Sequence, residues 1–417
     1  MIKNVVIIGG GVIGLCTAYY AARKGHGVTV LDRNPEQHDG CSFGNAGMVV
    51  PSHFVPLAAP RMVALAFKWM WNPASPFYVK LRPSWDLLNW GFQFWRASTP
   101  ERVLRAAPLL RDLNLASRAC FEELAGLPGN DFCLVKKGLL MLCKSQRALD
   151  EEAKTAEHAR QLGLLAEALD AAQTAKLDPN VRMDIAGSVY FPEDCHLWPN
   201  RFMAGMQQQL DKLGAKFLWE TEVTGLTTHA SRVLEVQTSR GEFSADEFVL
   251  CGGSWSPILA RGLRLSLPMQ PGKGYSLTLP NPRQLPQICA IFTEARVAVT
   301  PMGKSLRFGG TMEFAGLNED INPVRVKGII NSVQGYYPDF TAGDFEGIRP
   351  WRGLRPCSPD GLPYVGRTAR YSNLCIATGH AMLGLSLGPI TGKLVAEILS
   401  DEAPRIQIGL LDPDRYR

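Results

Sequence analysis

The 417-residue sequence is poor in cysteine and in net charge, and both scarcities exclude classes of protein. Its ten cysteines include no Cys-x-x-Cys pair and no Cys/His group with zinc-like spacing. This usage is typical of a reducing compartment, and we expect no metal site. The net charge is only +5 and is dispersed along the chain. The sequence therefore lacks the concentrated basic patch that nucleic-acid binding requires.

Long hydrophobic runs and leader-like segments are also scarce. The apolar run over residues 5–22 is interrupted by four glycines and changes from a strand-like to a helix-like pattern. The first residues enter that strand without the layout of a signal peptide. We therefore expect a cytoplasmic protein without a membrane-spanning helix. A composition of 46% hydrophobic and 20% charged residues predicts a compact fold, and the length allows two domains.

A glycine motif follows the first apolar strand. Residues 5–8, Val-Val-Ile-Ile, are typical of a parallel strand buried on both faces. The next six residues, 9–14, fit the pattern G-x-G-x-x-G. Helical periodicity then runs over residues 12–24 to a C-cap at Gly25. This strand–turn–helix order predicts a dinucleotide-binding unit.

The positions of the glycines assign them physical roles. Gly9 permits the tight turn, Gly11 lets the backbone approach a pyrophosphate, and Gly14 lets the helix lie close to the strand. A second strand ends at Asp32, about 20 residues after Gly11, where a carboxylate accepts hydrogen bonds from ribose hydroxyls. FAD and NAD both use this unit, so the motif alone leaves the choice between them open.

The segment after the second strand favours FAD. An NAD enzyme would normally repeat helix and strand there, whereas residues 41–48 read Cys-Ser-Phe-Gly-Asn-Ala-Gly-Met. Such a small, glycine-rich stretch lets the main chain pass close to a large flat ligand and offers amide donors along it. A plain surface loop is the alternative interpretation.

Two later apolar segments have the form of further strands of the same sheet. Residues 245–250 lead into a small-residue turn at 251–255, and residues 373–377 lead into a second turn at 379–385. A helix is predicted from about Pro389 to Leu399, with proline in its first turn. The positive end of this helix would face the flavin edge on which negative charge collects during reduction.

Six motifs occur in a characteristic order between residue 1 and about residue 400. They are Gly9 to Gly14 with Asp32-Arg33, Asn45-Ala46-Gly47, Pro271 to Ser276, Gly353 to Pro356, Pro359-Asp360-Gly361, and Gly379 to Gly384. The chain thereby resembles the FAD-dependent amine and amino-acid oxidoreductases related to D-amino-acid oxidase, glycine oxidase and sarcosine oxidase. Within that family it is most similar to the bacterial D-amino-acid dehydrogenases. The Lys-Gly-Tyr-Ser and Gly-Leu-Arg-Pro motifs are the most specific.

The resemblance implies FAD, and we expect it to be bound noncovalently. A cysteine carries the flavin in monomeric sarcosine oxidase, but Cys357 does not match that attachment position. Contacts with FAD are expected from Gly9, Gly11, Val12, Ile13, Gly14, Asp32, Arg33, Cys41, Ser42, Asn45, Ala46, Gly47, Met48, Glu222, Val223, Cys251, Gly252, Gly253, Trp255, Gly353, Arg355, Gly379, His380, Leu383, Gly384 and Leu385.

Oxidation of an amino acid by hydride transfer from Cα to flavin N5 needs a carboxylate anchor and a neutral amine. The resemblance assigns the anchor to Arg355, because a guanidinium binds a carboxylate bidentately and stays charged. A structural ion pair is the alternative for this arginine. Tyr275 is expected to hydrogen-bond the substrate, and Lys273 to lie over the flavin. For both, a buried structural role is the alternative.

Histidine is the remaining side chain suited to proton transfer near neutral pH. His53 is the candidate included in the catalytic set, while His380 is expected on the cofactor side and His196 is considered for substrate contact. Family members need no dedicated base, because the substrate can react as its neutral amine.

These observations predict an α/β protein with two domains. A Rossmann-type, glutathione-reductase-like FAD-binding domain would be discontinuous, formed by residues 1–60, 198–258 and 348–400. An α+β substrate domain built on an antiparallel sheet would take residues 61–197 and 259–347.

Local patterns fill in the expected substrate domain. Residues 61–125 have a helical pattern, and a charged helix is predicted over residues 146–164. Alternation over residues 273–280, 296–301 and 305–313 predicts the antiparallel sheet. In the last of these strands, Arg307 and Glu313 are expected to be sheet residues first and site residues second.

Aromatic residues concentrate between residues 67 and 95. Five of the nine tryptophans lie there, with several lysines and arginines among them. One interpretation is an apolar surface, rimmed by cations, that dips into a membrane interface. The other, slightly favoured, is an aromatic core over the substrate cavity. The tryptophans are Trp69, Trp71, Trp85, Trp90 and Trp95.

Taken together, the motifs and the resemblance imply an FAD-dependent D-amino-acid dehydrogenase acting on a small or cyclic D-amino acid, including D-proline or hydroxy-D-proline types. Electrons would pass to a quinone, an electron-transfer protein or O2. A glycine- or sarcosine-type oxidase using O2 is one alternative. An FAD-binding subunit of a multi-subunit dehydrogenase is another. The expected location is the cytoplasm, with peripheral contact at the inner face of the cell membrane left open.

Overall fold

The computed structural model describes residues 1–60, 75–80 and 82–417. The strands are β1 (Asn4–Ile8), β2 (Gly27–Leu31), β3 (Met48–Val49), β4 (Phe77–Val79), β5 (Leu139–Cys143), β6 (Glu167–Asp170), β7 (Gly187–Phe191), β8 (Cys195–His196), β9 (Lys216–Leu218), β10 (Val223–His229), β11 (Arg232–Thr238), β12 (Gly241–Ser244), β13 (Glu247–Leu250), β14 (Gln270–Pro280), β15 (Cys289–Phe292), β16 (Val297–Met302), β17 (Ser305–Phe314), β18 (Trp351–Cys357), β19 (Tyr364–Arg367) and β20 (Leu374–Thr378). The helices are α1 (Val12–Arg23), α2 (Trp85–Ala97), α3 (Pro100–Ala125), α4 (Gln146–Gln161), α5 (Ala171–Leu177), α6 (Pro199–Lys212), α7 (Ser256–Gly262), α8 (Pro323–Tyr336) and α9 (Gly384–Leu399).

The first sheet has six strands in the order β19-β20-β13-β1-β2-β9. All neighbours are parallel except β19 and β20. Its central strand β1 is apolar on both faces because both faces are covered. Val5 and Ile7 belong to a core that includes α1 and α9, whereas Val6 and Ile8 pack in a second core. That second core also contains residues of the three-stranded antiparallel sheet β10-β11-β12 and of α7.

The second sheet has nine strands, eight of them in the order β18-β14-β17-β16-β15-β5-β7-β6, with β4 paired to β17. The three predicted antiparallel segments correspond to β14, β16 and β17, and β14 and β16 both pair antiparallel with β17. Parallel pairing of β5 with β15 and of β4 with β17 makes the sheet mixed.

Strand β18 bears on one of the expected domain boundaries, which stay a prediction. It lies within residues 348–400, which were assigned to the FAD-binding domain. Its hydrogen-bonded neighbour, however, is β14 of the nine-stranded sheet. The other strands of residues 1–60, 198–258 and 348–400 belong to the smaller sheets. We therefore place this boundary after β18.

Helix α9 begins earlier than its sequence suggested. The predicted start at Pro389 lies inside a helix that begins at Gly384. A proline in the second turn removes only one backbone donor, which the helix tolerates. Residues 381–399 have the length and apolar composition of a membrane-spanning helix, but 72% of that apolar window is buried inside the protein. A Cβ at Gly392 would lie 2.4 Å from the backbone carbon of Cys16, so α9 packs directly on α1.

The predicted helical stretch over residues 61–125 is only partly described. Its described residues contain α2 and α3, and the short strand β4 precedes them. Residues 61–74 and residue 81 lie outside the described part of the chain. The charged helix predicted over residues 146–164 corresponds to α4.

Candidate active site

A cavity of about 1260 Å³ is lined by residues of both large sheets. This volume exceeds the roughly 300–1,000 Å³ of ordinary small-molecule pockets. It has room for a dinucleotide and a small substrate together. The dinucleotide motif lines one end, and β14, β17 and β18 contribute to the wall of the other.

The turn between β1 and α1 is the tightest part of the cavity wall. Gly9 has a φ of 114°, and a Cβ there would lie 2.6 Å from Cys251 O. A Cβ at Gly14 would lie 1.8 Å from Gly9 O. Only glycine permits both approaches. At Gly11, by contrast, a Cβ would meet only Ser42 Oγ, at 3.5 Å.

Asp32 closes the dinucleotide end of the cavity from the end of β2. Its Oδ2 accepts a hydrogen bond from Gly10 N at 2.7 Å, and its Oδ1 accepts one from Asn34 N at 2.8 Å. The carboxylate is thereby held at the cavity wall with lone pairs left for further donors. Next to it, the Arg33 guanidinium lies 3.8 Å from the ring centroid of Trp255.

The segment 41–48 is fixed by a residue that sequence reasoning did not place in the site. Arg307 is buried in β17, and its Nη1 donates to Asn45 O at 2.7 Å and to Phe43 O at 3.3 Å. Burial lowers the pKa of Arg307 to about 10, so the side chain stays charged at neutral pH. At the other end of the segment, Ser42 Oγ accepts from Val12 N at 3.0 Å. The segment therefore lies against the N-terminus of α1.

Most residues expected to contact FAD line the cavity, and three glycines do not. Gly14, Gly47 and Gly379 are not among the lining residues, and their contact with FAD stays a prediction. A Cβ at Gly47 would lie 2.3 Å from Leu197 O, and one at Gly379 would lie 2.8 Å from the Tyr364 ring. These glycines shape the cavity by letting protein segments approach each other.

The N-terminus of α9 faces the cavity through Leu383, Gly384 and Leu385. Beside it, His380 donates or accepts at Nε2 with Thr391 Oγ1 at 3.0 Å. Its Nδ1 is buried without a hydrogen-bond partner among the described residues. Burial lowers the pKa of His380 to about 3, so the ring is neutral. An unpartnered polar atom beside a helix N-terminus fits a polar, partly anionic ligand such as FAD.

Arg355 projects from β18 into the same cavity. Its Nη1 donates to Thr311 O at 2.7 Å. The guanidinium lies over Gly274, where a Cβ would come within 2.3 Å of Nη1. Burial lowers the pKa of Arg355, and the groups that oppose the shift are the thiols of Cys41 and Cys357 rather than a carboxylate. Within the described residues, Arg355 is therefore a half-buried cation without an anionic partner.

Lys273 does not lie where the sequence suggested. It does not line the cavity, since its Nζ donates to Asn318 Oδ1 and to Asp320 O, both at 2.7 Å. It also lies 3.7 Å from Glu313 Oε1. Along β14, Gly274 faces the Arg355 guanidinium, and alternation directs the Lys273 side chain to the opposite face of the sheet.

Tyr275 shares that opposite face. Its hydroxyl donates to Glu313 Oε2 at 2.8 Å and accepts from Asn322 N at 3.3 Å. Burial and Glu313 raise the pKa of this hydroxyl. The residue belongs to the cavity wall, but its hydroxyl is engaged in a buried pair. The expectation that it hydrogen-bonds the substrate stays a prediction.

His53 does line the cavity, next to Ser52. The structure adds a buried carboxylate to this pair, since Ser52 Oγ donates to Asp194 Oδ2 at 2.5 Å. His196 is buried in β8 and is not part of the wall. Sequence reasoning missed Ser52 and Asp194, because no local pattern connects residues that are 142 positions apart.

Another part of the cavity lining combines apolar and charged groups. Its apolar members are Met141, Phe191, Ile291 and Ala298. Arg296 and two acidic side chains of α4, Glu151 and Glu152, line it as well. None of these residues was expected. In the described residues, no group of three His, Cys, Asp or Glu side chains converges as a metal site would require.

The aromatic group at residues 67–95 is divided between core and surface. Phe77 lines the cavity, and Trp90 packs on Phe94 with ring centroids 5.1 Å apart. Trp85 and Trp95 are exposed. Trp69 and Trp71 lie outside the described residues.

Comparison with known proteins places this site in a family. The family model for FAD-dependent oxidoreductases, DAO, matches residues 4–398. The chain belongs to the DAO family of FAD-dependent oxidoreductases. The family, the glycine motif and the position of Asp32 together identify FAD as the dinucleotide. The expected α/β fold with an FAD-binding Rossmann-type unit is confirmed.

Relatives and solved structures of this DAO-family protein extend over its whole length. It is 32% identical over 418 residues to the D-amino acid dehydrogenase of Granulibacter bethesdensis, with 99% of each chain covered. It is 34% identical over 423 residues to the D-amino acid dehydrogenase of Methylobacterium nodulans, again with 99% of each covered. The crystal structure of glycine oxidase from Geobacillus kaustophilus matches with a TM-score of 0.80 and 24% identity, covering 100% of this chain and 99% of that one. The last likeness shows the fold.

Proposed function

We propose that this chain is an FAD-dependent D-amino-acid dehydrogenase that oxidises a small or cyclic D-amino acid to its imino acid. The observation that carries the proposal is Arg355, a half-buried guanidinium that faces the FAD cavity and has no anionic partner among the described residues. A cation that is partly withdrawn from water and lacks a counterion favours an anionic ligand. An amino-acid carboxylate is such a counterion, and it matches the fork of the guanidinium.

The chain's own residues supply binding and orientation around the cofactor. We assign the ribose to Asp32, the pyrophosphate to the N-terminus of α1, and the flavin edge to the N-terminus of α9. FAD bound there supplies the acceptor for the hydride from Cα. Arg355 holds the substrate carboxylate, and Thr311 Oγ1, buried without a partner in the described part of the chain, offers a further polar contact beside it.

The D configuration rests on the relatives named D-amino acid dehydrogenases, which the chain matches over its full length. The cavity lining includes apolar side chains, which suit a compact side chain or a ring, as in D-proline or hydroxy-D-proline.

A panel of D- and L-amino acids tests the proposal directly. Under anaerobic conditions, the absorbance of oxidised FAD at about 450 nm should bleach with D-proline-like or small D-amino acids and not with their L enantiomers. Bleaching by L-amino acids, or only by glycine and N-methyl amines, would overturn the assignment. Turnover by the isolated chain with an artificial dye would also exclude a non-catalytic FAD-binding subunit.

We propose noncovalent FAD and an acceptor other than O2. Cys41 lines the cavity, but burial raises the pKa of its thiol to about 11, which keeps it protonated and unreactive. Acid precipitation should therefore release the yellow colour into the supernatant. Dye reduction should exceed oxygen consumption for the same substrate. A yellow pellet or equal oxygen consumption would contradict these two points.

Helix α2 supports contact with the inner face of the cell membrane, where a quinone acceptor would be available. We call Trp85, Leu88, Phe92 and Trp95 the apolar stripe. Their positions follow one face of the helix, and they are 86%, 62%, 55% and 61% exposed. Arg96 lies over the Phe92 ring, and Lys80, Arg102 and Arg105 are exposed on the flanking segments. Aromatic groups rimmed by cations suit an anionic membrane interface.

Flotation with vesicles rich in anionic lipid tests the membrane contact. The wild-type protein should float, and the triple variant Trp85→Ser, Phe92→Ser, Trp95→Ser should not. Leu165→Ser removes a residue that is 61% exposed outside the apolar stripe and serves as the matched control. Failure of the wild type to float would remove the membrane proposal and leave the enzymatic one intact.

A further inference from the structure

A row of hydrogen-bonded side chains leads from the cavity into the protein interior behind β3. His53 N donates to Val50 O at 3.0 Å, which closes a turn with Pro51 in its second position. Within this turn, Ser52 Oγ lies 3.0 Å from His53 Nδ1 and donates to Asp194 Oδ2 at 2.5 Å. Ser52 N also donates to Asp194 Oδ1 at 3.0 Å.

The fold brings these residues together through a very short pair of strands. Val49 of β3 pairs with Cys195 of β8, which sets Asp194 beside the turn. Asp194 is 1% exposed, whereas Ser52 and His53 line the cavity. The row therefore has one end at the ligand and the other end out of contact with solvent.

The chemistry of the groups fixes the direction of the hydrogen bonds. An ionised carboxylate only accepts, so the Ser52 hydroxyl hydrogen points to Asp194. Ser52 Oγ then accepts from His53 Nδ1, and that ring nitrogen carries the proton of the neutral imidazole. Nε2 is left as the acceptor of the His53 ring, and His53 lines the cavity.

We propose that His53, Ser52 and Asp194 form a proton relay that removes the ammonium proton of the bound amino acid. The inference rests on the proposed function, because it needs an amine as substrate. The substrate proton passes to His53 Nε2, the Nδ1 proton passes to Ser52 Oγ, and the hydroxyl proton passes to Asp194 Oδ2. No electrons are exchanged, and the products are a neutral amine, a neutral imidazole and a protonated carboxyl group.

The electrostatics of the row suit this direction of transfer. Burial raises the pKa of Asp194 to about 7, although its two hydrogen bonds from Ser52 lower it. Glu193 adds to the shift and Arg118 opposes it, and the thiols of Cys195 and Cys289 also face this carboxylate. Burial and then Arg296 lower the pKa of His53 to about 4. A proton is thus held better at Asp194 than at His53. His53 is the catalytic residue of the relay, and Ser52 and Asp194 act through it.

The pH dependence follows from the state of Asp194. The relay accepts a proton only when this carboxylate is ionised, so flavin reduction should rise as the pH increases through about 7. His53 is already neutral over that range. Without the relay, reduction depends on spontaneous loss of the substrate proton and shifts to higher pH.

Anaerobic stopped-flow reduction of the holoenzyme tests the relay with a matched pair of variants. Ser52→Ala should lower the rate of flavin reduction at pH 7 by roughly 10²-fold, the usual size of acid–base catalysis, and the loss should shrink as the pH rises. Ser52→Thr keeps the hydroxyl and should stay within about threefold of the wild type. A Ser52→Ala enzyme with the wild-type rate and pH profile would overturn the relay.

A second measurement does not depend on turnover. In the 15N NMR spectrum of histidine-labelled protein without substrate, the His53 ring should show a proton on Nδ1, with His53→Gln identifying the signals. A proton on Nε2 in the wild type would refute the relay. If no amino acid reduces the flavin of the wild-type holoenzyme, the proposed function fails, whereas slow Ser52→Ala and Ser52→Thr enzymes alike would reject only the relay.

Discussion

Replacing Arg355 by methionine is the sharpest perturbation of the proposed site. Methionine keeps much of the apolar length of the side chain and removes its charge and donors. The wild-type guanidinium is held in place before substrate arrives, by its bond to Thr311 O and by its position over Gly274. Substrate binding therefore costs little side-chain ordering, and the loss on substitution should approach the full strength of the contacts.

The magnitude follows from the contacts that remain available. One Nη1 donor is used by Thr311 O, which leaves a pair of donors for a bidentate carboxylate. Hydrogen bonds to charged groups contribute about 1.5–3 kcal/mol each, so two of them correspond to roughly 10²- to 10⁴-fold in affinity. Arg355→Lys retains the charge without the fork and should lose roughly one of these bonds, about 10- to 100-fold.

The assay is the substrate concentration that gives half-maximal flavin reduction under anaerobic conditions. It should rise by the stated factors while the limiting rate changes less, because the anchor holds the carboxylate equally before and during the reaction. Arg349→Met is the matched control, since Arg349 is exposed six residues earlier. The half-saturating concentration of an amino-acid amide, which lacks the carboxylate, should be the same for the wild type and the variant. If the FAD-loaded Arg355→Met enzyme had the same half-saturating substrate concentration as the wild type, Arg355 would not be the carboxylate anchor.

Three further predictions concern the cofactor end and acid stability. Gly14→Ala should lose FAD and at least about 1–3 kcal/mol of stability by thermal melting, because its Cβ would lie 1.8 Å from Gly9 O, whereas Gly91→Ala, with open space around it, should be neutral or stabilising. Asp32→Asn should weaken FAD binding roughly 10- to 100-fold in fluorescence titrations of the apoprotein, and an unchanged affinity would reject its ribose role. Burial lowers the pKa of His380 to about 3 in the folded chain, whereas the unfolded chain binds a proton at this ring below about pH 6.5. The free energy of unfolding should therefore decrease as the pH falls from about 6.5 toward 3. His380→Gln should flatten the acid decline of the melting temperature, and parallel declines would contradict this.

The dinucleotide unit was predictable because its signals are local. The apolar strand, the glycine turn and the carboxylate at the end of β2 all lie within residues 5–32. Each of these features meets a physical requirement that few residue types satisfy. At position 14, for example, a Cβ would lie only 1.8 Å from Gly9 O, so glycine is needed. The start of α9 was less predictable. Pro389 lies in the second turn of this helix, but proline is also common in a first turn, so the sequence suggested a later start.

The face of a central strand was harder to assign from sequence. Along β14, Gly272, Gly274 and Ser276 share one face, and Lys273 and Tyr275 share the other. The sequence-based assignment chose the chemically prominent side chains, whereas the guanidinium and segment 41–48 approach the face of the alternate small residues. Asp194 carried no usable signal, because two-residue strands are too short to show periodicity.

The absence of a side chain at residue 274 has a consequence for how this enzyme can vary. The guanidinium occupies the volume that a methyl group would need, so alanine there would displace the planar head of Arg355 without disturbing the fold around it. The residues at positions 274 and 355 therefore depend on each other, because the Arg355 guanidinium occupies the space that Gly274 leaves free. A homologue that had exchanged one for a different residue would be expected to have abandoned the other, and with it the recognition of an acid group.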